Sequence, residues 1–376
     1  MKLKLNNGII KRADIFSAFF LFVKERENMK IDLRCLPYGA LPYESIDSTK
    51  RMMLKLFEQN PFLPFLPNIS NEDTLLGRTF FNIPGVKIKE KKVVFKVGST
   101  SYKQGILKLD KAYNFSDIED LEPFAIESPF LDMFLKIIKK FKSKRAYINL
   151  LGPFTISQIL NKTAEEQVLM DKSYRKLFVQ AVCVKALWII EKIREVSPET
   201  VPVIILEEPM LCQFGMLKRE NENLTVELVT NLFSRTIEKI KASGALVAVH
   251  SMEKCDWQIP INAGVDIISF DAYNNPNNIS IIPEMITDFI KRGGKINWAI
   301  VPVMTESIVK GLNIDYVANR LFATMEGLIL SGVPERFVYN SALVSVQGDI
   351  NKLPIIFSEK ALILSTQLAK RIPIKN

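Results

Sequence analysis

The chain has 376 residues, 48% hydrophobic and 24% charged, which excludes a disordered or fibrous protein and supplies material for a large core. A net charge of +9 and an isoelectric point near 9.2 raise nucleic acid or a membrane surface as partners. The lysines, however, are spread along the chain, and no recognition motif or aromatic–basic interleaving accompanies them, so neither partner is expected.

Taken from the start, Ala13 to Val23 is an apolar run behind Lys2, Lys4, Lys11 and Arg12. It lacks a small-residue cleavage site and is too short to span a bilayer. Residues 1–28 are therefore read as an N-terminal extension or helix. From Met29 onward short apolar runs alternate with long amphipathic stretches, the pattern of a parallel sheet with crossover helices. Eight runs qualify as strands: Ile31–Leu36, Phe62–Leu66, Ala146–Leu151, Val201–Leu206, Leu246–His250, Asp266–Phe270, Ile296–Val301 and Phe337–Asn340. Several are rich in Val and Ile without alternation, as strands covered on both faces should be.

Residues 68–144 form an insertion after the second strand, within which 85–89 and 92–97 predict a β-hairpin. Lys136 to Arg145 is a basic cluster, read as the solvated side of a helix leading into the third strand, with an anionic ligand as the second reading. Thr163-Ala-Glu-Glu166 is a capping box that predicts a helix to about Val196. Val226, Val229, Phe233, Ile237 and Ile240 make a helical stripe ended by Ser243 and Gly244. Further helices are predicted over Pro276–Lys291, Tyr316–Leu330 and Pro354–Lys370. The fold expected is α/β, a single (β/α)8 TIM barrel over 29–376. A doubly wound open sheet is the alternative, but neither of the usual Gly-rich phosphate turns occurs. Four scattered cysteines, Cys35, Cys183, Cys212 and Cys255, form no disulfide framework and fit a reducing cytoplasm.

In a barrel the chemistry sits where strands end. Glu207 and Glu208 end the fourth strand, His250 (the chain's one histidine) the fifth, and Asp271 the sixth. An acid, a histidine and an acid on consecutive strand ends point to a metal site or an acid–base site. Each also has a plainer reading: a half-buried histidine, a glutamate paired with a nearby Lys or Arg, and an aspartate capping the turn before Asn274, Asn275 and Pro276.

Six segments in order carry a resemblance: Leu36 to Pro42 (LPYGALP), Pro61 to Pro67 (PFLPFLP), Leu151 to Thr155 (LGPFT), Leu206 to Pro209 (LEEP), Val249 to Trp257 (VHSMEKCDW) and Ile268 to Tyr273 (ISFDAY). Together they resemble the catalytic barrel of cobalamin-independent methionine synthases and the uroporphyrinogen decarboxylase superfamily. The resemblance implies methyl transfer to a small thiol such as homocysteine. It also implies a zinc ion that makes the thiol a thiolate, and a small-molecule substrate. The family's zinc ligands fall at His250, Met252, Asp271 and Ala342, so His250 and Asp271 keep ligating side chains, and Cys255 or Cys212 would have to supply a thiolate. The resemblance implies catalytic roles for His250, Asp271 and Glu207, and substrate contacts from Gly39, Ala40, Glu207, Glu208, Asp256 and Trp257. Ala40 stands where the family has a substrate-holding Ser, and Glu207 where it has the Asp that pairs with the substrate amine. The Arg-rich motif of the decarboxylases is not present; Arg34 stands alone. The alternative reading is a zinc-free barrel of the same superfamily that binds a small ligand or performs different chemistry. Methyl donor and oligomeric state are not legible.

Overall fold

Five of the eight apolar runs become strands of one six-stranded parallel sheet in the computed structural model, which describes residues 34–37, 39–89, 92–161 and 168–375. The expectations for residues 1–28, for Ile31 to Leu33 of the first run, and for the capping box at 163–166 lie outside the described residues. The hairpin comes first: β1 (Val86–Lys89) pairs antiparallel with β2 (Lys92–Phe95), Val86 opposite Phe95. The main sheet is β3 (Arg145–Leu151), β4 (Val201–Glu207), β5 (Leu246–Ser251), β6 (Ile267–Asp271), β7 (Lys295–Val301) and β8 (Ala342–Val346), in that order and all parallel. Its residues are buried almost throughout, because helices cover the outer face and side chains fill the inner one.

Among the described residues the first two runs form isolated bridges rather than strands. Cys35 makes a single parallel bridge to Val344 of β8, Phe62 one to Tyr147 of β3, and Ala40 one to Phe65. Backbone bonds Leu36 N to Val344 O (2.9 Å), Leu63 N to Tyr147 O (2.9 Å) and Leu41 N to Phe65 O (2.9 Å) follow the same path. Regular strands fail here for a covalent reason. Pro37, Pro42, Pro61, Pro64 and Pro67 have no N–H to give to a ladder. The sheet is thus curled, with six regular strands and two irregular segments beside its outer strands.

The last strand is also displaced. Phe337–Asn340 lies inside a helix, Glu335–Ser341, and the strand follows at Ala342. Pro334 before an acidic first turn starts that helix, and the Ala342 to Val346 run carries the β-branched residues. The helix predicted from Pro276 begins only at Pro283, which takes the first helical position, and turns precede it.

The other helices follow their punctuation. Lys172–Val196 opens on Asp171, which accepts from Ser173 N, and is buried along most of its length because the insertion's helices pack on the side away from the sheet. Val226–Ala242 opens on Thr225 and buries Val229, Phe233, Ile237 and Ile240. Ile314–Leu330 and Ile355–Arg371 lie close to their expected bounds. Among the described residues no helix is long and apolar enough to cross a membrane.

Candidate functional site

All six strands run the same way, so their carboxyl ends open on one side. Glu207 sits directly opposite His250 in the β4–β5 register, and His250 opposite Ser269 in β5–β6. Neighbouring strands lie about 4.8 Å apart. Asp271 is two residues beyond Ser269, on the same face of β6. The structure therefore brings Glu207, His250 and Asp271 to one end of one face.

A buried polar layer lies beneath them. His250 Nδ1 is 2.8 Å from Ser269 Oγ, and Ser269 Oγ accepts from Asn297 Nδ2 at 2.8 Å. Asn297 Nδ2 also donates to Ser345 Oγ at 2.9 Å. Asn149 Nδ2 donates to Glu207 Oε1 at 2.5 Å. Asn149, Ser269, Asn297 and Ser345 interrupt otherwise apolar strands, and all are buried. That interruption was visible in the sequence and is the signal that sequence reasoning passed over. Two acceptors in this layer, Asn149 Oδ1 and Asn297 Oδ1, are buried with no hydrogen-bond partner among the described residues.

The electrostatics follow from the seclusion. Burial pushes the Glu207 carboxyl up to about 8, with repulsion from Asp349 and Glu208 adding to it and the Asn149 amide opposing it. Burial lowers His250 to about 4, so its imidazole is neutral at pH 7. Asp349, which sequence reasoning missed, stands at the accessible rim just past β8. Its Oδ1 accepts from Ala40 N at 2.9 Å, and its carboxyl is raised by the protein crowded around it. Gly39 makes that approach possible. Its φ is +100°, and a Cβ there would lie 2.8 Å from Asp349 Oδ1. Gly39 and Ala40 thus reach the mouth through Asp349, and Met252 lies over Gly348 beside it.

Four other sequence-derived site residues do not reach this mouth. Glu208 is fully buried and bound up in the Gly152–Thr155 turn, accepting from Phe154 N (3.1 Å), Thr155 N (2.8 Å) and Thr155 Oγ1 (2.6 Å). Trp257 packs edge-on against Phe270, and Phe270 against Trp298. Phe270 alternates with Ser269 and Asp271, so this aromatic stack lies on the opposite face of β6. Asp256 accepts from Gln258 N at the start of a short helix. It lines a cleft of about 400 Å³ with Cys212, Lys254 and Cys255, apart from the mouth. Burial pushes the Cys255 thiol well above its ordinary range.

The residues present do not fit a zinc ion of the kind the motifs imply. Among the described residues no group of three or more His, Cys, Asp and Glu side chains is placed to hold a metal. Asp271 is engaged by neutral donors on both oxygens: Tyr273 N and Asn274 N on Oδ1 (3.0 Å each), Asn274 Nδ2 (2.8 Å) and Gln347 Nε2 (2.7 Å) on Oδ2. Ala342, matched by sequence to a distant cysteine, begins β8 and so lies at the far end of the strand.

No protein-family profile and no curated protein matches the chain. Among solved structures it resembles a methyltransferase from Methanosarcina mazei, with a TM-score of 0.51 and 11% identity over 93% of this chain and 97% of that one. A Bacteroidetes-affiliated GH5 cellulase aligns with a TM-score of 0.40 and 9% identity over 66% of this chain and 77% of that one, too loosely to bear on fold or function. The likeness to the first is one of fold: a curled parallel sheet of the kind a methyltransferase uses.

Proposed function

We propose that this protein is a small-molecule methyltransferase-type barrel that works without a cysteine-held zinc. It grips the amino group of its substrate between Glu207 and Asp349 and sets the reacting atom over His250. The observation that carries the reading is the pair of carboxyls itself. Glu207 and Asp349 share the mouth, and among the described residues neither carboxyl has a cation within ion-pair distance, although Lys352 lies near enough to draw the Asp349 carboxyl down. An ammonium group placed between them relieves their repulsion and draws the proton off Glu207, forming a charged pair. The unpartnered acceptor Asn149 Oδ1 beside Glu207 suits a donor-rich ligand. His250, neutral at pH 7, is a hydrogen-bonding group toward the substrate rather than a cation. Methyl transfer is the reaction class because the motif series and the fold likeness agree on it; a fold alone would not assign it.

Calorimetric titration with homocysteine and with methionine tests the reading, alongside metal analysis of the purified protein. Binding of either amino acid that falls at least tenfold in Glu207→Gln supports it. No binding, or binding indifferent to Glu207→Gln, sinks the amine grip. A full equivalent of zinc, lost in Cys255→Ser, would show that a rebuilt metal site operates instead.

A further inference from the structure

A second cavity, of about 710 Å³, opens at the opposite end of the sheet. Its wall is made where strands begin: Arg145 of β3, Leu246 of β5, Ile267 of β6, Lys295 of β7 and Leu343 of β8. It shares no residue with the Glu207–Asp349 mouth. Five cationic side chains line it (Arg145, Lys241, Lys291, Arg292 and Lys295) against a single carboxylate, Asp266. That carboxylate is already engaged, by Lys241 Nζ at 2.8 Å and by Val247 N at 2.9 Å.

Among the described residues no carboxylate pairs with the charge at the inner end. Lys295 is half-buried, and its Nζ reaches the Asn340 carbonyl at 3.2 Å. Arg34 and Arg145 stand near enough to repel it, and with burial they bring its amine down to about 8. Arg34 Nη1 lies among the carbonyls of Tyr339 (3.1 Å), Ile372 (3.3 Å) and Pro373 (3.2 Å), which are dipoles and do not cancel its charge. Arg145 bonds the buried hydroxyl of Tyr147. Two cations on the cavity wall, with Arg34 near enough to repel Lys295, cost stability unless an anion joins them. A concave site of one sign also concentrates counter-ions. Leu246, Ile267, Leu343 and Phe289 give the same space an apolar part of its wall.

We infer that this amino-end cavity binds an organic anion, its phosphate or carboxylate held by Arg145 and Lys295 and its apolar body lying against Leu246, Ile267 and Leu343. The oxyanion supplies the charge the cluster lacks, and the body displaces water from the aliphatic wall. The two possible head groups share this chemistry and are separated by the probes.

The test is calorimetric titration of the full chain at low salt with octyl phosphate, octanoate and inorganic phosphate. One equivalent of octyl phosphate or octanoate should bind at least tenfold more tightly than inorganic phosphate. Lys295→Met and Arg145→Gln should each weaken that binding about tenfold or more, the scale of one charge-assisted contact. Lys295→Met removes a half-buried charge and keeps apolar volume, so it should fold; melting curves check this for both variants. Lys108→Gln, on an exposed helix of the insertion, and Glu207→Gln, at the other end of the sheet, should leave it unchanged. The inference is overturned if neither amphiphile binds, if inorganic phosphate binds as tightly as they do, or if both cavity variants bind like the parent. Because Glu207→Gln abolishes only the carboxyl-end site, failure here and failure of the methyltransferase reading are distinguishable.

Discussion

Glu208 takes both hydrogen-bond donors of Thr155 on one oxygen: Thr155 N at 2.8 Å and Thr155 Oγ1 at 2.6 Å meet Glu208 Oε2. The Gly-Pro turn after β3 and the Glu-Glu-Pro turn after β4 are therefore two halves of one lock. The same carboxylate receives Phe154 N, which places it at the start of the Pro153–Asn161 helix, where backbone N–H groups and the helix dipole favour an anion. Gly152 is part of the lock, since a Cβ there would fall 2.0 Å from Glu208 Oε1.

Glu208→Ala should cost at least about 3 kcal/mol, because it strands three buried donors worth about 1–3 kcal/mol each. Glu208→Gln, which keeps one acceptor oxygen, should cost less. Gly152→Ala should cost about 1–3 kcal/mol by overpacking against the carboxylate. In the Glu208→Ala background the atom that the added methyl strikes is gone, so the double variant should be less destabilised than the sum. Urea denaturation of the four proteins measures this, and strict additivity would refute the lock.

Arg78 holds the Pro-rich second segment in place of a β-ladder. Its guanidinium donates to Leu63 O and Pro64 O, at 2.8 Å each, and to Asp73 Oδ1 at 3.3 Å, and it stacks 3.8 Å from the centre of the Phe65 ring. Asp73 in turn accepts from Leu66 N at 2.9 Å. Both charged groups are buried, so Arg78→Met leaves a lone anion and two bare carbonyls and should cost about 3–5 kcal/mol. Arg78→Lys should recover little, since an ammonium cannot reproduce the planar fork. The damage should spread to the mouth, because Phe65 O carries Leu41 N, next to the Ala40 that binds Asp349. Melting temperature and amine affinity should fall together.

The parts of the fold that the sequence disclosed are those where one local signal dominates. The Val- and Ile-rich runs at 201–206 and 246–250, without alternation, read as covered strands, and the stripe from Val226 to Ile240 as a helix. Where two signals compete, the reading slipped. Phe337 to Asn340 is apolar enough for a strand, but Pro334 and Glu335 start a helix through it. In the first two runs apolar content predicts strands, while the prolines withhold the donors. At the site, strand ends located Glu207, His250 and Asp271 because parallel topology converges them. Direction was not legible. Glu208 turns back into the Gly152 turn and Trp257 into the aromatic stack, while Asp349 enters from a loop that only the three-dimensional path brings beside Ala40. Asp271 meets its plainer reading as well, holding Tyr273 N and Asn274 N in a turn.

The raised carboxyl of Glu207 makes stability depend on pH in a stated direction. Below the ordinary value of 4.5 the group is protonated in both folded and unfolded chains. Between 4.5 and about 8 the folded protein keeps a proton that the unfolded chain releases, so this group's contribution is lost as pH rises through that window. Glu207→Gln removes the titration and keeps an oxygen for Asn149. The variant should match the parent near pH 4.5 and exceed it by up to about 4 kcal/mol above pH 8.5. Denaturant melts at several pH values decide it; a parent as stable as the variant at high pH would show that Glu207 ionises freely in the fold.

Asp349→Asn isolates the repulsion between the two carboxyls. The asparagine keeps Oδ1 for Ala40 N and occupies the same volume beside Gly39, so the backbone at the mouth should stay in place. What it removes is a negative charge that helps hold the Glu207 proton on. The Glu207 midpoint should therefore move to lower pH, by less than about one pH unit because Asp349 stands at the accessible rim. A 13C-detected titration of the glutamate carboxyls reads this directly. An ammonium ligand should bind more weakly to the variant, having lost one of its two anionic partners, while a neutral analogue of the same shape should not. A Glu207 midpoint that stays at its parent value, or moves upward, would mean that the two carboxyls do not share the mouth.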